Sequence, residues 1–120
     1  DERIVSRFAS TPRELFVPPA MAGIACLDED LSLGEGRHLL EPMVLARLIQ
    51  AAALRPEDTL LDVAGGTGYA GALAAPLISR YVLAESVTMH RETATRLLVT
   101  HAGSHCLAPA VKNVLEGCKA

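Results

Sequence analysis

The chain has 120 residues, half of them hydrophobic and 3% aromatic, and its 11 Lys and Arg against 14 Asp and Glu give a formal net charge of −3. This composition is typical of a globular domain and not of a disordered or fibrous chain. It argues against a nucleic-acid-binding protein, because phosphate contacts need a basic surface and strand stacking needs aromatic side chains. We expect one compact domain with a core that needs no disulfide.

The cysteines are three in number and irregularly spaced. They indicate neither a disulfide framework nor a Cys-x-x-Cys site, which fits a reducing compartment. No charged and then apolar leader opens the chain, and its apolar runs are too short to cross a membrane. We therefore expect a cytoplasmic protein without a membrane partner.

The first half of the chain has the pattern of helices and loops. Thr11-Pro12-Arg13-Glu14 is a capping box with proline at the first helical position, so it predicts a short helix that stops before Pro18-Pro19. Leu31-Ser32-Leu33 predicts a brief extended segment that enters a loop at Gly34-Glu35-Gly36. A helix is predicted from Pro42 to Leu54, with its apolar face packed on the sheet.

The second half alternates between strands and helices. Continuous apolar runs predict strands, and runs of helical period between them predict helices. The predicted order is a strand at Thr59–Ala64, a helix at Tyr69–Ser79, a strand at Arg80–Ala84, a helix at Met89–His101 and a strand at Val111–Leu115. This β-α-β-α-β order predicts a parallel sheet with right-handed crossovers. The chain thus divides into a helical and loop segment, 1–58, and an α/β unit, 59–120.

A glycine-rich turn, Gly65-Gly66-Thr67-Gly68, joins the first of these strands to its helix. Such a turn lets the backbone approach a ligand closely. An ordinary tight turn between a strand and a helix, without a ligand, has the same glycine-rich sequence. Glu85 follows the next strand, where a carboxylate can accept hydrogen bonds from both hydroxyls of a ribose. An acid at the start of a helix can also simply lie in solvent. The two features together favour a nucleoside ligand.

Two ligand classes compete for this turn. Gly66 to Gly71 matches the G-x-G-x-x-G fingerprint of an NAD(P)-binding oxidoreductase. Asp62, at the end of the strand, argues against that class because its charge would repel a pyrophosphate. S-adenosylmethionine carries a sulfonium and an ammonium group and no phosphate, so the sequence favours a methyl-donor site.

Four segments of the chain match, in order, the motifs of one enzyme family. Arg13–Pro18 is similar to P-R-E-x-F-V-P, Leu33–Gly36 to I-G-x-G, Leu40–Ala46 to S-Q-P-x-x-V-A, and Asp62–Tyr69 to E-x-G-x-G-S-G-Y. These segments resemble the protein-L-isoaspartate O-methyltransferase family over nearly the whole chain. With the acid after the second strand, the predicted donor-binding residues are Asp62, Ala64, Gly65, Gly66, Thr67, Gly68, Tyr69 and Glu85.

The resemblance implies both a fold and a reaction. The fold is α/β, with N-terminal helices followed by the first half of a Rossmann-like S-adenosylmethionine-dependent methyltransferase fold. The reaction is methyl transfer from S-adenosylmethionine to the side-chain carboxylate of L-isoaspartate in damaged proteins or peptides, after which the ester closes to a succinimide that reopens as aspartate. A carboxylate is already a nucleophile at neutral pH, so catalysis would be mainly in-line positioning, without a strong general base.

The chain departs from the family pattern at two important positions. Leu40 occupies the place of the serine in T-I-S-Q-P, and Ala64 replaces the first glycine of the donor motif. No catalytic residue is therefore predicted. The alternative is a diverged methyltransferase or donor-binding pseudoenzyme with another acceptor.

The predicted sheet order, 3-2-1, would leave Leu60–Val63 as an apolar edge. In a doubly wound sheet the first strand is central and the ligand lies at the switch point beside it. Soluble proteins normally cover such an edge. We expect a fragment of a longer enzyme, unless the N-terminal helices or a second copy of the chain cover the edge.

The remaining polar residues predict little chemistry. His101, His105, Cys106 and Cys118 match no usual zinc-ligand spacing, so no metal site is predicted. Arg37 and His38 follow the glycine pair and either contact donor or substrate or lie in a solvated loop.

Overall fold

The structure, a computed structural model, describes residues 1–101 and 111–112. The helices are α1 (Glu2–Ser10), α2 (Pro42–Ala51), α3 (Tyr69–Ala74) and α4 (Thr88–His101), with short 3-10 turns at Arg13–Phe16, Pro19–Ile24 and Ala75–Leu77. The strands are β1 (Leu31–Gly34), β2 (Arg37–Leu39), β3 (Thr59–Val63), β4 (Arg80–Ala84) and β5 (Val111–Lys112).

The main sheet is parallel, in the order β3-β4-β5. Thr59 pairs with Arg80 and Val63 with Ala84, so β3 and β4 end level with each other. The predicted order is confirmed, and within the part of the chain that the structure describes no strand pairs with the outer side of β3. The last residues of the predicted third strand, 113–115, lie outside the described residues.

Both crossover helices, α3 and α4, pack against each other and against the sheet. α3 is shorter than predicted because Pro76 lacks an N–H, and the chain continues past Ala74 as a 3-10 turn. Gly71 lies directly against the Tyr81 ring, where a β-carbon would overlap the ring. The third glycine of the fingerprint thus serves close packing of helix on strand.

The N-terminal segment differs from its prediction. α1 was not predicted, and Arg13–Phe16 is a 3-10 turn without a side-chain cap where a capped helix was expected. The Thr11 hydroxyl instead accepts a hydrogen bond from Arg7 Nη2 (3.4 Å), which also donates to the carbonyl oxygen of Ala72 (2.9 Å). The predicted capping box is therefore wrong.

β1 and β2 form an antiparallel hairpin. The extended segment at Leu31–Leu33 is confirmed, whereas β2 was not predicted. The hairpin turns through three successive residues of positive φ, Gly34 (83°), Glu35 (56°) and Gly36 (75°). α2 ends at Ala51, three residues before the predicted Leu54, and packs mainly against α1.

Arg13 holds the N-terminal segment to the rest of the molecule. Its side chain is buried, donates from Nε to the carbonyl oxygen of Ala25 and from Nη2 to that of Leu40 (2.9 Å), and lies 5.1 Å over the Tyr69 ring. The first forty residues are thereby fixed against the helix that follows the glycine turn.

None of the helices in the described ranges combines the length and the apolar character needed to cross a membrane.

Ala53 follows α2 with φ 49°, a conformation that costs an alanine about 1–2 kcal/mol. We expect Ala53→Gly to raise the free energy of unfolding by about 0.5–1 kcal/mol, since the flexibility of glycine in the unfolded chain offsets part of the gain. The matched control, Ala46→Gly inside α2, should lower it by about 1 kcal/mol. Urea unfolding measures both free energies. An equal loss of stability in the two variants would contradict the left-handed conformation of Ala53.

Candidate functional site

Glu85 is the centre of the candidate site. It directly follows β4, and its side chain is completely buried. Oε1 accepts from the backbone N–H of Gly66 (2.8 Å), and Oε2 accepts from that of Val87 (2.8 Å). The acid predicted to bind a ribose is therefore tied to the glycine turn.

Arg37 makes a bidentate ion pair with the same carboxylate. Its Nε donates to Oε1 of Glu85 (2.9 Å) and its Nη2 to Oε2 (3.1 Å). Nη2 also donates to the Ser86 hydroxyl (3.2 Å). Arg37 begins β2, so this contact joins the hairpin to the end of the main sheet.

The environment of Glu85 favours its charged form. Burial alone would raise its pKa, but the hydrogen bond from Arg37, those from the backbone of Val87 and Gly66, and the charge of Arg37 together hold the pKa below its ordinary value. The carboxylate is therefore ionised at neutral pH.

The glycine turn is strongly bent. Ala64, Gly66 and Gly68 have φ of 58°, 62° and 91°, and the Ala64 N–H donates to the carbonyl oxygen of Ala84 (2.6 Å). A β-carbon on Gly66 would come within 2.9 Å of Leu33 Cδ1, because the hairpin lies over the turn. Ala64, which replaces a family glycine, thus occupies a conformation that favours glycine.

Asp62 lies at the base of the turn. Its Oδ2 accepts from the Tyr81 hydroxyl (2.7 Å), and a β-carbon on Gly65 would come within 2.6 Å of the same oxygen. Burial raises the pKa of Asp62, the Tyr81 hydrogen bond partly opposes this, and the charge of Glu85 raises it further. A cation next to Asp62 would favour its ionised form.

Thr67 and Tyr69 face the N-terminal segment. The Thr67 hydroxyl donates to the carbonyl oxygen of Phe16 (2.6 Å), and the Tyr69 ring packs 5.3 Å from the ring of Phe16 and edge-on to that of Phe8 (6.2 Å). Tyr69 is 2% exposed. Both residues pack the turn against the core, and their contact with a donor stays a prediction.

Leu40 follows β2, with its side chain 37% exposed. It offers no hydroxyl where the family pattern has serine. Within residues 1–101 and 111–112, no three His, Cys, Asp or Glu side chains are grouped as metal ligands would be. His105, Cys106 and Cys118 lie outside the described residues.

A cavity of about 560 Å³ lies between the two N-terminal 3-10 turns and α4. Thr67, Leu33 and His90 contribute to its wall, while Glu85 and Gly66 do not. The buried His90 ring reaches the hairpin, with Nε2 3.2 Å from the carbonyl oxygen of Gly34. The hairpin thus contributes Leu33 to this cavity, and the acid does not line it.

The pairing of Arg37 with Glu85 could not be read from the sequence. The sequence predicts for Arg37 either contact with donor or substrate or a place in a solvated loop, and 48 positions separate it from Glu85. Its place next to two glycines was the only signal, because a hairpin turn brings the first residue of β2 close to whatever the hairpin covers.

A solved structure named protein-L-isoaspartate O-methyltransferase has the same fold over most of this chain. It superposes on 89% of this chain, and on 36% of its own, with a TM-score of 0.70 and 21% sequence identity. The fold is therefore that predicted: α/β, with N-terminal helices followed by the first half of a Rossmann-like methyltransferase fold.

The family is established by sequence. The model of the protein-L-isoaspartate(D-aspartate) O-methyltransferase family matches residues 1–111, and the chain belongs to that family. This membership disfavours the NAD(P)-binding alternative.

Curated relatives named protein-L-isoaspartate O-methyltransferase extend the match. The protein of Methylorubrum extorquens is 43% identical over 62% of this chain and 33% of its own length, and that of a Roseiflexus species is 32% identical over 82% and 45%. That of Herpetosiphon aurantiacus is 38% identical over 71% and 38%. The chain thus spans from about a third to just under half of the relatives it matches.

The lowered pKa of Glu85 predicts a pH-dependent loss of stability. The charged carboxylate stabilises the fold above its ordinary pKa of 4.5, and this contribution is lost as the pH falls through the lower pKa of the folded state. We expect Glu85→Gln to have a lower free energy of unfolding than the unmodified chain at pH 7. The gap, which is the difference between these two free energies, should shrink below pH 4.5. Asp62, whose raised pKa acts in the opposite direction, is present in both chains, and Glu85→Gln removes only the smaller of the two causes that raise that pKa.

Urea unfolding between pH 3 and pH 7 measures the gap. Glu57→Gln is the control, because Glu57 is exposed and pairs with Arg55 only at 3.6 Å. Its gap should stay near zero, and a gap for Glu85→Gln that is constant with pH would contradict the ion pair.

Proposed function

We propose that this chain forms the methyl-donor half of an S-adenosylmethionine-dependent protein-L-isoaspartate O-methyltransferase. The observation that carries the proposal is the buried carboxylate of Glu85 at the carboxyl end of β4, 2.8 Å from the backbone of the glycine turn. An acid in that place accepts the hydroxyls of a ribose.

The hydrogen-bonding capacity of Glu85 fits the two hydroxyls of a ribose. A carboxylate has about four acceptor positions, two on each oxygen. The backbone of Gly66 and Val87 takes one on each oxygen, and Arg37 takes the other two. Without Arg37, one position on each oxygen would be free, which matches a pair of adjacent hydroxyls.

Asp62 supports a cationic donor in preference to a dinucleotide. Two carboxylates, Asp62 and Glu85, lie close enough for the charge of one to raise the pKa of the other. This local negative charge attracts the ammonium and sulfonium groups of S-adenosylmethionine and repels a pyrophosphate.

When bound, S-adenosylmethionine supplies a methyl group that a carboxylate can attack directly. We propose that the chain contributes orientation: Glu85 fixes the ribose, Asp62 attracts the amino-acid end, and the tightly packed turn holds the backbone between them. Such positioning accounts for catalysis without a general base. The acceptor in this proposal is the isoaspartyl side chain of a damaged protein or peptide.

Leu40 favours a second candidate, a diverged enzyme or donor-binding protein with another acceptor. Its apolar, partly exposed side chain has no hydroxyl and lies where the family pattern has serine. Donor binding would be the same in both candidates, and the acceptor would differ.

A cytoplasmic location belongs to the same proposal. Cys26 is an exposed free thiol, which is more stable in a reducing compartment.

Calorimetric titration of the folded chain with S-adenosylhomocysteine, and separately with NAD, tests the donor. We expect binding of S-adenosylhomocysteine alone. Binding of NAD alone would overturn the proposal. Binding of neither ligand, both by the unmodified chain and by a variant without the Arg37 guanidinium, would also overturn it where circular dichroism shows both chains to be folded.

Asp62→Asn tests the role of charge near the donor. Asparagine keeps an oxygen acceptor for Tyr81 but removes the negative charge. We expect it to weaken S-adenosylhomocysteine binding about tenfold at pH 8, the effect of losing one charge-assisted contact. Asp58→Asn, at the opposite end of β3, is the control and should bind normally. A gain in NAD affinity by Asp62→Asn would contradict the assignment of the donor.

The acceptor is tested by equilibrium binding of two peptides to the chain saturated with S-adenosylhomocysteine. One peptide contains isoaspartate and the other contains aspartate at the same position. We expect the first to bind more tightly, and equal binding would favour the second candidate.

A further inference from the structure

We propose that Arg37 is an internal occupant of the ribose position, so that a nucleoside ligand binds to this chain by displacing the Arg37 guanidinium from Glu85. The inference rests on the proposed function, because it assigns the Glu85 carboxylate to the ribose. It adds an autoinhibitory contact, made by the hairpin of β1 and β2, to that site.

The geometry of the ion pair carries the inference. Each oxygen of Glu85 accepts one backbone N–H and one N–H of Arg37, with all four distances between 2.8 and 3.1 Å. The backbone donors belong to the site itself and remain when a ligand binds. The two donors of Arg37 therefore occupy the same two acceptor positions that a ribose would use.

Neighbouring contacts show that Arg37 is held in place and is not in random contact with the acid. Glu85 is completely buried, whereas the Arg37 side chain is 22% exposed and has a path to solvent. Nη2 is held further by the Ser86 hydroxyl at 3.2 Å. Solvent next to the guanidinium gives it a place to go when a ligand arrives.

The hairpin has the means to move with Arg37. Gly34, Glu35 and Gly36 connect its strands through left-handed conformations, two of which glycine adopts without strain. Leu33, on the neighbouring strand, lies against Gly66 of the glycine turn. Withdrawal of Arg37 together with this strand would uncover both the acid and the turn.

Competition of this kind lowers the apparent affinity for the donor. A ligand gains contact with Glu85 only by removing contacts that the free protein already has, so the measured affinity reports the difference. A variant without the guanidinium would bind the same ligand more tightly, whereas loss of a residue that contacts the ligand would weaken binding.

The test is calorimetric titration with S-adenosylhomocysteine of the unmodified chain, Arg37→Gln and the control Arg55→Gln, whose guanidinium is 70% exposed and pairs with Glu57 and Asp58. We expect Arg37→Gln to bind at least about tenfold more tightly, because the competing charge-assisted hydrogen bonds are gone. Arg55→Gln should bind as the unmodified chain does. Equal or weaker binding by folded Arg37→Gln would overturn the inference.

Arg37→Lys keeps the positive charge and loses the bidentate geometry, so it guards against a failure of Arg37→Gln to fold. We expect its affinity to lie between those of the unmodified chain and Arg37→Gln. An affinity equal to or below that of the unmodified chain would overturn the inference.

The competition can also be restored in trans. In Arg37→Ala, guanidinium chloride at a few millimolar should refill the position and weaken S-adenosylhomocysteine binding, while potassium chloride at the same concentration should not. No such competition would count against Arg37 as the occupant.

Failure of the inference and failure of the proposed function give different results. If neither the unmodified chain nor any Arg37 variant binds S-adenosylhomocysteine, the proposed function falls and the inference falls with it. If all of them bind with one affinity, the donor site stands and only the inference falls.

Discussion

The structure depends on one buried negative charge. A carboxylate removed from water costs several kcal/mol unless all its acceptor positions are filled, and Glu85 achieves this with donors from three parts of the chain. The hairpin, the glycine turn and the residues before α4 must each reach it. Their mutual placement therefore follows from the need to satisfy a single side chain at the end of β4.

Arg13 performs a comparable task for the N-terminal segment, with the signs reversed. It is a buried cation that binds backbone carbonyls and lies over the Tyr69 ring. Through it, and through the bond between Thr67 and Phe16, one hydrophobic core is built from residues on both sides of residue 58. The domain boundary predicted at that position stays a prediction.

The elements that the sequence predicted well are those whose signals are local. β3 and β4 are continuous apolar runs bounded by turn residues, so the bounds of β4 were predicted without error and those of β3 to within one residue. α1 does carry local signals: Asp1 caps it by accepting from the Arg3 N–H, and Ile4 and Phe8 lie four residues apart on one face. The fate of the Thr11 hydroxyl depends on Arg7, and no local pattern could settle it. In the candidate site, Glu85 was found from its distance to the glycine turn. The pairing of Glu85 with Arg37 was not predicted, because long-range pairing of charges leaves no periodic pattern in a sequence.

The position of β3 at the edge of the sheet gives the two halves of the candidate site unequal rigidity. β4 is paired on both sides, and Glu85 follows it directly. β3 has one neighbour among the described strands, its Leu61 and Val63 are more than half exposed, and the glycine turn follows it. In this 120-residue chain, we expect amide hydrogens on the outer side of β3 to exchange with deuterated solvent before those of β4. A ligand would meet an acid that is already fixed and a turn that it has to order, and part of its binding free energy would be spent on that ordering.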